Sequence, residues 1–144
     1  MRYLGIDPGK RRVGLAISDP GETFSSPLAV LGRRSTEQVV SEIAGVCRRE
    51  GVEAIVVGLP LNMDGTKGAA AKEAERLAAQ VAEAAGLPVQ LWDERLSSVS
   101  AERSLLEADM SRQKRRRTID KVAAQIILQS FLDARRNADD AGAC

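Results

Sequence analysis

Tyr3-Leu4-Gly5-Ile6-Asp7, stopped by Pro8-Gly9 and answered by Arg12-Val13-Gly14-Leu15-Ala16-Ile17-Ser18, is the stretch that decides the fold. Two short apolar runs separated by a turn dipeptide predict a pair of antiparallel strands. Asp19-Pro20-Gly21 supplies the next turn, and 23–31 predicts a third strand that Pro27 confines to a sheet edge. Beyond this meander the periodicity changes. Ser35 caps a helix reaching about Glu50, with Val39, Val40, Ile43 and Cys47 at helical spacing, and Gly51 ends it. Ala54-Ile55-Val56-Val57-Gly58 is continuously apolar, as a strand covered on both faces requires. Gly65 to Ala85 then predicts an alanine-rich helix, and Val89 to Asp93 a strand. A helix follows from Ser97 or Ser98 to about Ala108, and a last one from about Thr118 to Arg135.

This order predicts an α/β domain with a mixed five-stranded sheet. The first three strands form an antiparallel meander, the fourth and fifth run parallel, and helices cover both faces. The 144 residues fit a single domain, placed at 1–136, with 137–144 expected as a flexible C-terminal tail. There is no internal repeat and no interdomain linker.

Composition narrows the chemistry. Histidine is absent, which excludes His general bases, His–zinc sites and Ser-His triads. Cys47 and Cys144 make no disulfide or metal pattern, and Cys47 reads as a small core residue. Two lone thiols and no signal peptide point to the cytoplasm, and no apolar run approaches the roughly 20 residues of a membrane span. Aromatics are limited to Tyr3, Phe24, Trp92 and Phe131, so base-stacking platforms are scarce and any nucleic-acid contact is directed at backbone and shape. Net charge is only +1, yet six of the ten residues from Arg112 to Lys121 are Lys or Arg, and Lys10, Arg11 and Arg12 form a second group. Each basic group lies beside an Asp. Contact with a polyanion and a merely solvated face are equally good readings of such runs.

Ligands of open α/β sheets gather at the carboxyl ends of parallel strands, where this chain places Asp7 and the pair Asp93-Glu94. Asp120 precedes Ala123, Ala124, Ile127 and Phe131 at helical spacing, which turns its carboxylate toward the sheet. A turn cap at Asp7 and a helix-dipole role at Asp120 are the bland alternatives. If the acids converge, hard oxygen ligands without His or Cys suit Mg²⁺ or Mn²⁺. Two such ions about 4 Å apart promote phosphodiester hydrolysis. Gly9 to Gly14 has the glycine spacing of a phosphate-binding P-loop, but Leu15-Ala16 stands where Lys-Ser/Thr is required, so that reading fails. The Gly58–Gly65 connector either presents a helix N-terminus to phosphate or is a structural turn with Asp64 as helix cap.

Four blocks of the chain resemble the YqgF/RuvX family, a branch of the RNase H-like (RuvC resolvase-like) superfamily. They are Gly5 to Ala16, Val56 to Gly65, Trp92 to Val99 with Ala101-Glu102 after it, and Ile119 to Ala124 leading into Ile126-Ile127-Leu128-Gln129. The resemblance implies an RNase H-like fold and a metal-dependent nuclease of the bacterial cytoplasm. It further implies either 5′-end maturation of pre-16S ribosomal RNA on the ribosomal particle or resolution of branched DNA at Holliday junctions. Carried over, Asp7, Glu94 and Asp120 are the catalytic, metal-binding acids, holding two ions. Resolvases of the superfamily carry an acid on the fourth strand, where this chain has Val56-Val57-Gly58. Glu94 substitutes for it, and Asp93 stays open as a co-ligand or as the true one. Lys10, Arg12, Arg95, Arg112, Lys114, Arg115, Arg116 and Lys121 are the expected phosphate-gripping residues. The expected state is a monomer or weak homodimer. Two rivals remain: an ATP-binding domain of the actin/sugar-kinase type, which needs a second domain that 144 residues leave no room for, and a non-catalytic ribosome-assembly or RNA-binding factor.

Overall fold

The computed structural model describes the backbone of residues 1–99, 101–103, 105 and 112–142, and the side chains of these except 112–118 and 139–142. Strands β1 (Tyr3–Pro8), β2 (Arg12–Ser18) and β3 (Ser25–Gly32) form the antiparallel meander, followed by α1 (Thr36–Glu50) and β4 (Ala54–Leu59). Helix α2 (Ala69–Ala85), β5 (Val89–Asp93), a 3-10 turn at Glu94–Leu96 and the long α3 (Arg112–Gly142) complete the chain. The sheet order is β3-β2-β1-β4-β5, with β1, β4 and β5 parallel. Thus β1 is the central strand, and Asp7 ends it at the same sheet edge as the end of β5.

Strand alternation sorts the core into two layers. Leu4, Ile6, Val13, Leu15, Ile17, Ile55 and Val57 meet Val39, Ile43, Leu77 and Val81 of α1 and α2 on one face. On the other face Tyr3, Ala16, Ala54 and Val56 meet Ala123, Ala124, Ile127, Leu128 and Phe131 of α3. Cys47 belongs to the first layer, as its spacing predicts. Trp92 and Tyr3 both make edge contacts with Phe131, which uses these rings as core rather than as stacking surface.

Small residues on the second face let α3 lie close to the sheet. A Cβ at Gly14 would stand 2.1 Å from the Asp120 carbonyl oxygen, and one at Gly58 would stand 2.8 Å from both Ile127 Cδ1 and Glu94 Oε1. The helix therefore rests on a track without side chains, and this seat carries Asp120 to the edge where β1 ends.

Helix α1 follows the expectation, with a capping box between Ser35 and Gln38. The other two helices differ in their bounds. Helix α2 begins at Ala69 rather than Gly65, because the preceding loop satisfies itself locally. Asp64 accepts from the Thr66 N–H at 3.0 Å and hydroxyl at 2.6 Å, Asn62 N–H donates to the Thr66 carbonyl at 3.0 Å, and Gly65 turns at φ 88°. Asp64 thus closes the loop and is not the helix cap. Helix α3 starts at Arg112 and continues to Gly142, further in both directions than expected. Its flanks hold Arg, Lys, Gln and Ala, all good helix formers, and no Pro or Gly interrupts it before Gly142. Residues 99, 101–103 and 105 are helical, and the rest of the helix expected to reach Ala108 lies outside the described residues.

Candidate active site

Asp7 lies on the α3 face of β1 and is only 6% exposed. An inward carboxylate in that position is costly unless a cation or proton meets it. Arg103 does so, donating from Nη2 to Oδ1 at 2.8 Å. At the end of β5 the chain leaves the strand through the 3-10 turn, and this turn separates two consecutive acids. Asp93 accepts from the Arg95 backbone N–H at 2.9 Å and from its guanidinium, with Nη2–Oδ2 at 2.8 Å, which holds it out at the turn. Glu94 turns inward over Gly58 and lines the same cleft as Asp7. Across from them Asp120 accepts from Arg12 Nε at 2.7 Å. Asp7, Lys10, Arg12, Glu94, Arg103 and Asp120 line one cleft of about 490 Å³.

The electrostatics follow from crowding acids in a half-buried cleft. Burial pushes the Asp7 carboxyl above its usual range, with Arg103 pulling the other way. Burial first, then the Asp7 charge, pushes Glu94 up to about 7. The two carboxyls thus resist being charged together. Asp93 is pulled down, chiefly by its hydrogen bonds from Arg95.

Residues 1–134 match the family model described as "RuvX: Holliday junction resolvase". The chain belongs to the RuvX family. A "Putative pre-16S rRNA nuclease" of Syntrophomonas wolfei subsp. wolfei is 48% identical over 92% of this chain and 94% of its own length. One of the same name from Myxococcus xanthus is 45% identical over 96% and 92%. Among solved structures, Thermus thermophilus RuvC in complex with Holliday junction substrate superposes with a TM-score of 0.61 at 18% identity, over 94% of this chain and 96% of that one. A fowlpox virus Holliday junction resolvase gives 0.51 at 11% identity, over 93% and 99%. These likenesses identify the fold as the RuvC-like form of the RNase H fold, as the strand order requires.

Of the acids expected to act in this RuvX chain, Asp7, Glu94 and Asp120 share the cleft and Asp93 does not. Lys10 and Arg12 also line it, but Arg12 is engaged by Asp120. Arg95 is occupied elsewhere: besides clasping Asp93, its Nη1 donates to the Met63 carbonyl at 3.3 Å, bracing the loop before α2. Lys121 is exposed on α3 and absent from the cleft lining. The side chains of Arg112, Lys114, Arg115 and Arg116 lie outside the described residues. Sequence reading missed Arg103, stopping one residue short of it at Glu102. Its partner is 96 positions away, and a lone Arg on a helix carries no periodic signal.

The donors fit a hard divalent ion: they are all carboxylate oxygens, and the crowding of Asp7 and Glu94 calls for positive charge or a proton between the two. Among the described residues, however, no group of three or more acids stands together as a complete cage. Arg103 and Arg12 take up one oxygen each of Asp7 and Asp120.

The raised Glu94 pKa has a measurable result in protein freed of metal by a chelator. The folded state keeps a proton to about pH 7 that the unfolded chain releases near its ordinary value of 4.5. The associated stability is therefore complete below the lower value and is lost as pH rises through the upper one. The loss is expected to be on the order of 2 kcal/mol across that window, after discounting for partial exposure and coupling to Asp7. Urea denaturation at a series of pH values checks this, and Glu94→Gln should flatten the slope. An equal slope in that variant would assign the effect to another group.

Proposed function

We propose that this protein is a divalent-metal-dependent nuclease that hydrolyses phosphodiester bonds and matures the 5′ end of pre-16S ribosomal RNA in the cytoplasm. The observation that carries the reading is the placement of Asp7, Glu94 and Asp120 around one cleft at the sheet edge. Family membership and the names of relatives 40–48% identical over most of the chain support it. Asp7, Glu94 and Asp120 would hold Mg²⁺ or Mn²⁺, as two ions. When bound, these supply the charge that activates water and steadies the leaving oxygen. The protein's own part is to crowd Asp7, Glu94 and Asp120 into one cleft and to present Lys10 there to a phosphate oxygen.

A second reading, cleavage of branched DNA, is favoured by the family description and by the RuvC likeness over nearly the whole chain. Symmetric resolution needs two active sites, whereas RNA trimming needs one, so a monomer or weak homodimer suits the first reading. The deciding experiment offers a 5′-extended 16S rRNA fragment and a four-way DNA junction to the same protein, with Mg²⁺ or Mn²⁺ and with chelator. Metal-dependent cutting of the RNA alone supports the proposal, and cutting of the junction alone replaces it with the second reading. Binding of RNA without cutting points to the assembly-factor role.

The basic start of α3 provides the expected grip on the polyanion. Changing Arg115, Arg116 and Arg117 together to Gln should weaken RNA binding. It should also reduce the slope of log affinity against log salt by about 2, at roughly 0.7 for each lost phosphate contact on a single strand. Filter binding from low to moderate salt measures it. An unchanged slope would leave that segment as a solvated surface.

A further inference from the structure

We infer that Arg103 is a positioning residue that holds the place of the metal ion at Asp7 in the metal-free protein and leaves that carboxylate when the ion is held. The inference rests on the metal-dependent reading above and concerns a residue that the three-acid scheme does not include. Asp7 is almost fully buried at the end of the central strand, and among the described residues Arg103 is its only ion-pair partner. Their 2.8 Å bond occupies Oδ1, so a divalent ion drawn to this carboxylate meets a guanidinium already on it. A guanidinium and a divalent ion on one carboxylate repel strongly in a half-buried cleft, so each weakens the hold of the other.

The geometry leaves Arg103 a way out. Its side chain is 35% exposed, while that of Asp7 is 8%, so the arginine reaches in from the open side. It also lines the cleft that holds Glu94 and Asp120, and among the described residues it is the cleft cation bonded to Asp7. Neither of the other cleft cations is so placed. Arg12 is bonded to Asp120 alone, and Lys10 lines the wall without a partner among the described residues. The physical purpose is plain. An acid buried in such a cleft needs a counter-charge while the chain folds and waits for metal, and Arg103 supplies one that is tethered and displaceable. Metal affinity is then set by competition with a side chain of the protein itself.

Isothermal titration with Mn²⁺, in the absence of nucleic acid, separates this from other roles. Arg103→Met should bind Mn²⁺ at least about ten-fold more tightly than wild type, whereas Arg103→Lys, which keeps the charge, should stay within about three-fold. Wild-type affinity or weaker in the Met variant overturns the inference, as does equal tightening in the Lys variant. Nitrogen-edited NMR of the wild-type arginine side chains covers the case in which Arg103→Met does not fold. The restrained Arg103 guanidinium signal of the metal-free protein should be lost on saturation with Mg²⁺, and its persistence overturns the inference. Finite and equal Mn²⁺ affinities would remove this inference alone. Absence of binding in every form would remove the metal-dependent reading together with it.

Discussion

Asp7→Asn is expected to lower metal-dependent cleavage at least about a hundred-fold while leaving nucleic-acid affinity within about three-fold. The first half follows from position. Asp7 is the most deeply buried of the three cleft acids and the one that Arg103 bonds. The second half follows from what Asp7 does not touch, since the basic start of α3, the proposed grip, is a separate element. The fold should survive the change, because burial already raises the Asp7 carboxyl above its usual range and so disfavours its charged form. A neutral amide of the same shape removes that cost even as it weakens the Arg103 bond. Single-turnover cleavage beside filter binding makes the test, with urea denaturation as the folding control. Undiminished cleavage by the variant would remove Asp7 from the chemistry, and a parallel loss of binding would recast it as a structural residue.

Gly14→Ala should destabilise the protein by about 3 kcal/mol or more, beyond what a surface glycine would show. The new Cβ would stand 2.1 Å from the Asp120 carbonyl oxygen and 2.8 Å from its carbon. Those are backbone atoms of a helix, so no rotamer change relieves the clash and α3 itself must lift. Lifting it separates Ala124, Ile127 and Leu128 from the sheet and carries Asp120 away from Asp7, so cleavage should fall along with stability. Gly32→Ala is the matched control, because a Cβ there meets nothing within 4 Å. Urea midpoints of the two variants give the answer. Equal midpoints would mean that α3 does not seat on Gly14 in solution.

The strands, and Asp7 and Asp120 as candidates, were legible because each is announced by a local pattern, whereas their meeting in one cleft is a property of the fold. Asp7 ends an apolar run before Pro8-Gly9, and Asp120 opens the apolar stripe of its helix. Asp93 and Glu94 could not be told apart in the same way. Consecutive residues at a strand end face opposite sides, and which one faces inward depends on the 3-10 turn and on the hold of Arg95 upon Asp93. Through the same guanidinium Arg95 also joins β5 to the loop at Met63. Arg103 was invisible for a different reason: an ion pair across 96 positions leaves no mark on either segment alone. The late start of α2 reflects side chain to backbone bonds among Asn62, Asp64 and Thr66, which compete with a helix that composition alone would begin at Gly65.

The length of α3 has a consequence for where a strand would be cut. Arg112 begins the helix and Asp120 lies eight residues on, which at the helical rise is about 12 Å along a rigid rod. On the proposed function the helix would work as a caliper, with the basic jaw at one end and the carboxylate jaw at a set distance from it. Inserting one alanine after Arg117 would change neither charge nor acid, yet it would slide the basic jaw by about 1.5 Å and swing it by about 100° relative to Asp120. On the proposed function, such a chain would still bind its polyanion and still keep its carboxylates in place, while the position of the cut would move.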